Sequence, residues 1–300
     1  MTESKMHTKE DLLKDLKNIG VEAGDLLHLK VSMRALGPTE VGAETLLQAL
    51  LEAVGESGTI VSDAFITVYP LPLSESNKKI IADDYTPSYA GAFANAMIKH
   101  PKMVRSKHPV QKFAAIGARA EEFCRAHTEQ SGAYELLERM ADDDAKNLTI
   151  GGQVVGVGTT HIAVEKAGFK RKEANKGVLY KSREGNVKLA RINWNGGCGK
   201  GFPKFYPLYR QQGAMLNEAK IGDAHSVLTS MKKTLEIERE HLKKDPKFFF
   251  CDDPACYSCR ISWEHSDKNY FKFYLHWLRK NYKKLNFRKI QYLYKSVFKK

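Results

Sequence analysis

Amphipathic helical patterns and short apolar runs alternate along the first part of the chain. Residues 8–11 have the sequence of a capping box, and leucines at helical spacing follow until Gly20 ends the pattern. Residues 26–31 form an apolar run typical of a strand, residues 46–54 carry a second helical pattern, and residues 58–61 form another strand-like run. Helix, strand, helix and strand in short order predict an α/β layered fold with parallel strands.

The patterns farther along the chain continue this alternation and complete the predicted fold class. It is a layered α-β-α fold with a central mixed, mostly parallel sheet and a basic helical C-terminal tail. A polar, proline-containing excursion at residues 69–86 is long enough to be a functional loop or lid. The other predicted helices are residues 89–100, 119–127, 134–140 and 224–244, and the other predicted strands are residues 113–117, 178–182, 187–194 and 248–250.

A glycine-rich turn near the middle of the chain joins a strand-like run to a helical pattern. The run is residues 153–157, and the helix begins with Thr159, Thr160 and His161, where a threonine is expected as the N-cap. The helix dipole disfavours the protonated form of a histidine in the first turn, so a neutral imidazole there could take a proton from a nucleophile. The alternative is that His161 is an ordinary polar residue at a helix start.

Composition and hydropathy limit the class of protein. With 42% hydrophobic and 10% aromatic residues, the chain can bury a sizeable core, which argues against general disorder. No apolar run approaches the ~20 residues of a membrane span, and the charged N-terminus lacks the apolar core of a signal peptide. We therefore expect a soluble cytoplasmic protein.

The positive charge of the chain is concentrated at its C-terminus. Residues 270–300 contain ten of the 48 Lys and Arg residues and no Asp or Glu, so the rest of the chain is close to charge balance. This distribution argues against a nucleic-acid partner. Aromatic residues are interleaved with the basic ones, which is typical of an interfacial helix attracted to an anionic membrane surface. The alternative is an ordinary helix that packs its aromatic stripe on the domain.

The five cysteines of a chain without a secretion signal argue against a disulfide framework. Cys256 and Cys259 form a Cys-x2-Cys pair, with Cys251 and Cys198 upstream, and four such thiolates would suit a structural zinc. His265 is another possible ligand. Because one Cys-x2-Cys pair is weak support, we expect free thiols packed beneath the C-terminal region, and we assign no metal ligand.

Three stretches of the chain together carry a family resemblance. They are LHLKVSMRALGPTEVGAETLLQALLEAVGESGTIVSDAF, TPSYAGAFANAMIKHPKMVRSKHPVQKFAAIGARAEEF and GQVVGVGTTHIAVEKAG. In this order they resemble the aminoglycoside 3-N-acetyltransferase family, the antibiotic N-acetyltransferases that do not have the GNAT fold. The order and spacing hold over residues 8–262. The resemblance implies an antibiotic N-acetyltransferase-like α/β domain at residues 1–265 and a separate basic aromatic helical tail at residues 266–300.

The resemblance implies acetyl-CoA as a co-substrate, bound together with an amino sugar for direct acetyl transfer. Hydroxyl, guanidinium and backbone N–H groups can bind the pyrophosphate and 3′-phosphate of CoA. Backbone amides or a serine hydroxyl would also stabilise the tetrahedral oxyanion. By correspondence with the family, the cofactor-contacting residues are Lys30, Val31, Ser32, Met33, Arg34, Arg105 and Ser106.

The resemblance also makes His161 the catalytic base, with Glu165 one helical turn later to orient it or couple to its charge; Glu165 is equally well an exposed helix residue. Relatives usually carry a further carboxylate in the segment that corresponds to residues 192–198, and this segment contains no acid here. That carboxylate would raise the basicity of the histidine. Glu165, Asp63 and the loop of Asp83 and Asp84 are the candidates to replace it.

Two alignments of the family pattern T-x-x-H-x-x-E are open at this helix. Thr160 directly precedes His161, and Glu165 follows the histidine by four residues. Either one residue is missing before the helix, or Ile162 takes the catalytic position and His161 is offset by about 100°. The family's first loop also generally has a histidine where Lys30 stands here.

The sequence therefore predicts an acetyl-CoA-dependent N-acetyltransferase that modifies an amino group of an aminoglycoside or a related amino sugar, an activity associated with antibiotic resistance. Two alternatives are kept. One is a catalytically weakened relative that binds CoA or a partner without turnover, which the missing carboxylate would explain. The other is an acyltransferase of cell-surface polysaccharide assembly, which would suit a membrane-associated tail.

Overall fold

Residues 6–151, 157–171, 175–192 and 198–282 are described by a computed structural model. Of the strand expected at residues 153–157, only Val157 lies within the described residues. Residues 193–194 of the strand expected at 187–194 and residues 283–300 of the predicted tail also lie outside them.

The described residues form helices and strands in close alternation. The helices are α1 (Lys9–Ile19), α2 (Met33–Leu36), α3 (Ala43–Val54), α4 (Glu75–Lys78), α5 (Ala92–Lys99), α6 (Ala120–Ala126), α7 (Glu135–Asp142), α8 (Thr159–Lys166), α9 (Tyr206–Gln211), α10 (Met231–Lys244) and α11 (Tyr270–Asn281). The strands are β1 (Leu26–Val31), β2 (Thr59–Asp63), β3 (Tyr69–Pro70), β4 (Ile81–Ala82), β5 (Val104–Arg105), β6 (Phe113–Gly117), β7 (Lys146–Ile150), β8 (Lys176–Lys181), β9 (Val187–Arg191), β10 (Met215–Ile221) and β11 (Ala224–Ser230). A 3-10 turn spans Phe202–Phe205, and a π-helical turn spans Ser258–Ser262.

A seven-stranded mixed sheet lies at the centre of the fold, in the order β10-β11-β7-β1-β2-β6-β5. Strand β1 pairs in parallel with both β2 and β7, whereas the pairs toward the two edges are antiparallel. The predicted α/β class and mixed sheet are confirmed. The parallel arrangement expected for most of the sheet is confined to its three central strands, because short hairpins build both flanks.

The first helix forms as its sequence predicts. The Thr8 hydroxyl accepts a hydrogen bond from the Asp11 amide (3.1 Å), and the Asp11 carboxylate accepts one from the Thr8 amide (3.3 Å). At the other end Gly20 adopts φ 102°, a left-handed conformation that glycine takes without strain. Both ends of α1 are therefore set by local residues.

The helix expected at residues 224–244 is wrong in its first part. Residues 224–230 form β11, which pairs with β10 across a two-residue turn and with β7 on its other side. Val227 and Leu228 are both buried, so this strand shows apolar residues on both faces, a pattern that resembles that of a buried helix. The helix begins only after Ser230, whose hydroxyl accepts a hydrogen bond from the Lys233 amide (3.2 Å).

Helices cover both faces of the central sheet and create two hydrophobic cores. Helices α1, α3 and α5 pack on one face, and helices α6, α7, α8 and α10 pack on the other. Successive strand residues alternate between the two cores: Ile60 belongs to the first and Val61 to the second. This is the three-layer architecture that the sequence predicts.

A small second sheet lies beside the main one. It is formed by β3 and β4, which both pair with β8, and by β9, which pairs antiparallel with β8 over residues 177–181. Strands β3 and β4 come from the polar excursion at residues 69–86, so this excursion contributes to a sheet in the described structure. Its predicted role as a lid stays a prediction.

The C-terminal tail begins as a helix, as predicted, over α11. Phe273 is its buried residue, and its ring contacts Tyr257 with the centroids 6.1 Å apart. Lys280 pairs with Asp253 in the same region. Within the described residues, no helix has the length and apolarity that crossing a bilayer requires.

Candidate active site

The candidate site lies where the three parallel strands of the sheet end. Strand β1 lies between β2, the next strand of this sheet along the chain, and β7, which comes much later in the sequence. The connections after β1 and β7 therefore diverge at this edge of the sheet. In open α/β sheets, ligands bind in the crevice that such a divergence creates at the carboxyl ends of the strands. Lys30 stands near the end of β1 and Asp63 at the end of β2, so the register of the two strands brings these side chains together.

Asp63 links two basic side chains from β1. Its Oδ1 atom lies 3.0 Å from His28 Nε2, and its Oδ2 atom accepts a hydrogen bond from Lys30 Nζ at 3.0 Å. Burial would raise the pKa of Asp63, but the charges of Lys30 and His28 and their hydrogen bonds hold this pKa well below its ordinary value. Asp63 is therefore ionised, and Nε2 of the fully buried His28 donates to it. His28 Nδ1 lies 2.8 Å from Asn147 Oδ1 on β7, so the network spans all three strands.

His161 lies in the first turn of α8, between two aromatic rings. The imidazole stacks on Tyr134 with a centroid distance of 4.4 Å and an interplanar angle of 6°, and Phe202 meets it edge-on at 5.1 Å. Burial and the charge of Lys30 lower the pKa of His161 to about 3, although the charge of Asp63 opposes the shift. Burial, as the main cause, therefore favours the neutral imidazole expected from the sequence, and the catalytic role of His161 stays a prediction.

The nearby acids differ in their relation to His161. Glu165 is exposed, and within the described residues no hydrogen bond joins it to His161. Burial raises its pKa, partly offset by Lys166 and reinforced by Glu138. A Cβ atom added at Gly132 would lie 3.4 Å from Glu165 Oε1.

Of the other candidate acids, Asp84 already binds two lysines, Lys107 and Lys112. Asp63 remains as the carboxylate whose charge acts directly on the imidazole of His161. The structure therefore favours Asp63 among the replacements considered for the missing family acid.

A buried glutamate that the sequence did not single out anchors α8. Glu238 of α10 is inaccessible to solvent, and its Oε1 atom accepts hydrogen bonds from the hydroxyl groups of Thr160 and Tyr209. Thr159 Oγ1 lies 3.0 Å from Thr234 Oγ1 in a second contact between the same helices. Burial raises the pKa of Glu238 to about 7, although the hydrogen bonds lower it.

The threonine N-cap expected for α8 is wrong. Gly158 is the N-cap, with φ 82°, and Thr159 and Thr160 are the first helical residues. Their hydroxyl groups bind α10 instead, because this part of α8 is buried against that helix. A Cβ atom on Gly158 would lie 3.1 Å from His28 Cε1, so the glycine also allows α8 to approach the Asp63 network.

The first predicted cofactor-contacting loop leaves β1 directly beside the Asp63 network. Ser32 caps the short helix α2, since its hydroxyl accepts from the Ala35 amide (3.3 Å), and its own amide donates to Ile150 O (2.9 Å). Lys30, Val31 and Met33 are partly buried. The guanidinium of Arg34 is at the exposed side of α2. The contact of these five residues with CoA stays a prediction.

The second predicted cofactor-contacting pair, Arg105 and Ser106, is buried. Arg105 is 3% exposed, and its guanidinium donates to the carbonyl groups of Asp84, Thr86 and Ala64 at 2.6–2.9 Å. Ser106 Oγ accepts from the Phe113 amide at 2.9 Å. The Arg105 side chain therefore supports the loop around Asp84, and the Ser106 hydroxyl binds the first residue of β6. Their contact with a phosphate stays a prediction that this geometry does not favour.

Four of the five cysteines converge at one point in the fold. The Sγ atoms of Cys198, Cys251, Cys256 and Cys259 all lie within 4.8 Å of one another, and we call this group the four-cysteine cluster. The fifth thiol, Cys124, donates to Val104 O at 3.3 Å elsewhere in the fold. His265 is outside the cluster: its Nε2 atom lies 3.1 Å from Pro246 O, and its ring stacks on Phe250.

The fold and the site define an α/β protein with an enzyme-like centre, in which a neutral histidine lies beside a buried ion pair. The family model for aminoglycoside 3-N-acetyltransferase matches residues 27–243, so the chain belongs to that family. Among curated proteins, it is 29% identical over 183 residues to aminoglycoside N(3)-acetyltransferase III of Salmonella sp., covering 56% of this chain and 63% of the relative. It is 28% identical over 175 residues to the type VIII enzyme of Streptomyces fradiae, covering 53% of this chain and 61% of the relative.

Solved structures share the fold over a larger part of the chain. Sisomicin-bound AAC-VIa superposes with a TM-score of 0.70 at 24% identity, over 80% of this chain and 99% of the other. AAC-IIIb with CoASH superposes with a TM-score of 0.68 at 20% identity, over 80% and 97%. At these identities the superpositions establish the common fold.

The raised pKa of Glu238 predicts a pH-dependent stability. Because the folded-state pKa lies above the unfolded value, the neutral carboxyl stabilises the fold at low pH, and this contribution is lost as the pH rises through about 7. Glu238→Gln keeps the acceptor oxygen and stays neutral. We expect wild type to lose roughly 2 kcal/mol relative to this variant between about pH 5 and pH 8, measured by urea unfolding.

Glu240→Gln, on the exposed face of the same helix, is the matched control and should show no such trend. A wild-type to Glu238→Gln difference that is constant across this pH range would mean that Glu238 is ionised throughout.

Proposed function

We propose that the chain is an acetyl-CoA-dependent N-acetyltransferase that acts on an amino group of an aminoglycoside or a related amino sugar. Its relatives are named aminoglycoside N(3)-acetyltransferases, and solved structures of the same fold contain sisomicin or CoASH. The observation that carries the proposal is the neutral, partly exposed imidazole of His161 beside the Lys30–Asp63 pair. In this proposal, membership of the family and the chemistry of the site agree.

The reaction requires an amine to attack the carbonyl carbon of the thioester. The nitrogen forms a bond to that carbon while losing a proton, and the C–S bond then breaks, so that CoA leaves as a thiolate and recovers a proton. In the proposed mechanism His161 takes the proton from the amine and can return it to the leaving thiolate. A neutral imidazole is required for the first step, and its low pKa keeps it neutral at the pH of the cell.

Asp63 is the proposed electrostatic partner of this base. A positive charge develops on His161 during proton transfer, and a buried carboxylate nearby stabilises that charge. The positive charge of Lys30 disfavours protonation of His161, which keeps the resting imidazole neutral. The balance between these two charges replaces the further carboxylate that relatives usually carry.

The loop after β1 is the proposed binding site for CoA. The exposed guanidinium of Arg34 is suited to a phosphate, because its planar donors can bind two oxygens at once. The Ser32 amide is already used by Ile150 O, so Ser32 would act on the oxyanion through its hydroxyl hydrogen. Arg105 is proposed to support the site indirectly, through its hydrogen bond to the carbonyl of Ala64, the residue after Asp63. Ser106 is proposed to support it through the Phe113 amide.

Two other functions are kept as alternatives. A weakened relative would bind CoA without turnover; the absence of a hydrogen bond to His161 from Glu165 favours it, whereas the Asp63 pair argues against it. An acyltransferase of cell-surface polysaccharide assembly would use the same site on a different amino sugar. The tail described below is the observation that favours this substrate.

Replacing His161 tests the proposed base. We expect His161→Ala to lower kcat by roughly 10²–10⁴-fold while CoA binding is retained, because only the proton transfer is lost. The measurement is thiol release from acetyl-CoA with a panel of aminoglycosides and simple amino sugars, with calorimetry for CoA. His225→Ala, an exposed histidine of the β10–β11 turn region, is the matched control and should keep wild-type turnover.

Turnover that survives the His161 substitution would place the base elsewhere and contradict the assignment. Wild-type protein that binds CoA but acetylates no amine of the panel would favour the weakened relative. Turnover on simple amino sugars alone would favour the polysaccharide alternative.

We also propose that the C-terminal tail attaches the protein to an anionic membrane surface. Phe271 is 82% exposed on α11, and its neighbours Leu275 and Leu278 are exposed as well. Lys272, Arg279 and Lys280 lie on the same helix. Exposed aromatic and aliphatic side chains beside basic ones favour an interfacial helix.

Vesicle sedimentation tests this attachment. We expect wild type to sediment with vesicles that contain an anionic phospholipid and to be released by salt, because the basic residues supply much of the binding. Phe271→Asp should weaken binding, whereas Val187→Asp, at another exposed apolar residue on β9, should not. Binding that is unchanged when residues 270–300 are removed would contradict the proposal.

A further inference from the structure

The four-cysteine cluster joins two parts of the chain that are distant in sequence. Cys198 precedes the 3-10 turn at Phe202–Phe205, whereas the other three cysteines lie in the loop and π-helical turn after α10. Cys251 and Cys259 are buried, and Cys198 and Cys256 are partly buried. Convergence of all four thiols at one point is a strong constraint that packing alone does not require.

The distances within the cluster match a metal site. A zinc ion with Zn–S bonds of about 2.3 Å at the centre of a tetrahedron places the sulfurs about 3.8 Å apart. Cys256 Sγ lies 3.6 Å from Cys198 Sγ, and no two of the four Sγ atoms are farther apart than 4.8 Å. A disulfide would bring two sulfurs to about 2.05 Å, and all four cysteines are free thiols.

The surroundings of the sulfurs suit a negatively charged thiolate site. The Cys251 amide donates to Cys259 Sγ at 3.4 Å, as amides do to sulfur ligands in metal sites. Arg171 is held beside Cys259 by hydrogen bonds to Ser258 Oγ (2.9 Å) and Ser262 Oγ (2.7 Å), and Arg260 donates to Cys251 O. Two guanidinium groups therefore lie next to a site that would carry excess negative charge.

We propose that the four-cysteine cluster binds one structural zinc ion. Four protein thiolates fill the tetrahedral coordination of zinc and leave no position for substrate, so the ion would hold the chain together and take no part in the chemistry. Four sulfurs in this arrangement suit zinc or iron. Because acetyl transfer moves no electrons, a redox-inert ion agrees better with the rest of the protein.

The zinc would connect the candidate active site to the C-terminal region. The segment that begins at Cys198 packs closely against the residues before Cys251, since a Cβ atom on Gly201 would lie 1.8 Å from Phe249 O. The next residue, Phe202, meets the imidazole of His161 edge-on. On the other side, Lys280 of α11 pairs with Asp253 inside the loop between Cys251 and Cys256. The ion would therefore fix one aromatic wall of the site and the base of the tail.

Metal analysis of the full chain tests the proposal directly. The protein is expressed with zinc and iron in the medium, purified without a metal-affinity step, and passed over chelating resin before mass spectrometry of its metals. We expect about one zinc and less than about 0.1 iron per chain. Titration with a mercurial should release the zinc in step with the reaction of four thiols.

Paired substitutions locate the site. Cys256→Ser should retain less than about one fifth of the wild-type zinc and unfold at a lower temperature, because a partly buried ligand is lost. Cys124→Ser, at the thiol outside the cluster, should keep the full zinc content. These readouts do not depend on acetyl transfer, so they separate this proposal from that of the enzymatic function.

Three results would overturn the proposal. They are wild-type protein with less than about 0.2 zinc per chain and four thiols that react freely in the folded state, iron in place of zinc, and an intact mass that shows a disulfide within the cluster. The first two are read from wild-type protein and remain informative if Cys256→Ser does not fold.

Discussion

The buried carboxylate of Asp63 is the interaction on which the candidate site depends. Burying a lone carboxylate is costly, and the fold offsets this cost with Lys30 and His28, both supplied by the adjacent strand. The parallel register of β1 and β2 places these three residues together, so the central part of the sheet and the charge network require each other. Removal of Asp63 would leave Lys30 half-buried without its partner and His28 without its acceptor.

The remaining parts of the site are arranged around this pair. The close approach of Gly158 to His28 lets α8 begin above the network, and Glu238 binds the Thr160 hydroxyl to hold that end of the helix. The aromatic rings of Tyr134 and Phe202 then fix the plane of the His161 imidazole. The properties of the proposed base follow from this arrangement: burial and the charge of Lys30 favour the neutral form of the partly exposed imidazole, and rings orient it instead of a hydrogen-bonded acid.

The sequence could predict the elements whose signals are local. The capping box of α1, the apolar run of β1 and the glycine after α3 each act on adjacent residues, and each predicted element is present. The local pattern predicts a helix at residues 224–230, where the structure has a strand. Their conformation depends on pairing with β7 and β10, and a local pattern contains no information about that pairing.

The site shows the same division between local and distant signals. The sequence singles out His161 because it follows a glycine-rich turn, and its catalytic role stays a prediction. Glu238 resembles any polar residue of an amphipathic helix until α8 and α9 are placed against it. Arg105 has the chemistry of a phosphate ligand, but its guanidinium donates hydrogen bonds to the backbone carbonyl groups of Asp84 and Ala64.

We propose that His161 is a neutral base in the electric fields of Lys30 and Asp63. NMR titration of its side-chain nitrogens, in protein labelled at histidine, measures its protonation state. We expect neutral-imidazole shifts for His161 from about pH 8 to about pH 5, in wild type and in Asp63→Asn alike, because the pKa of His161 is lowered to about 3 and the loss of the Asp63 charge lowers it further. A His161 that becomes protonated with a midpoint above about pH 6 would contradict the proposal.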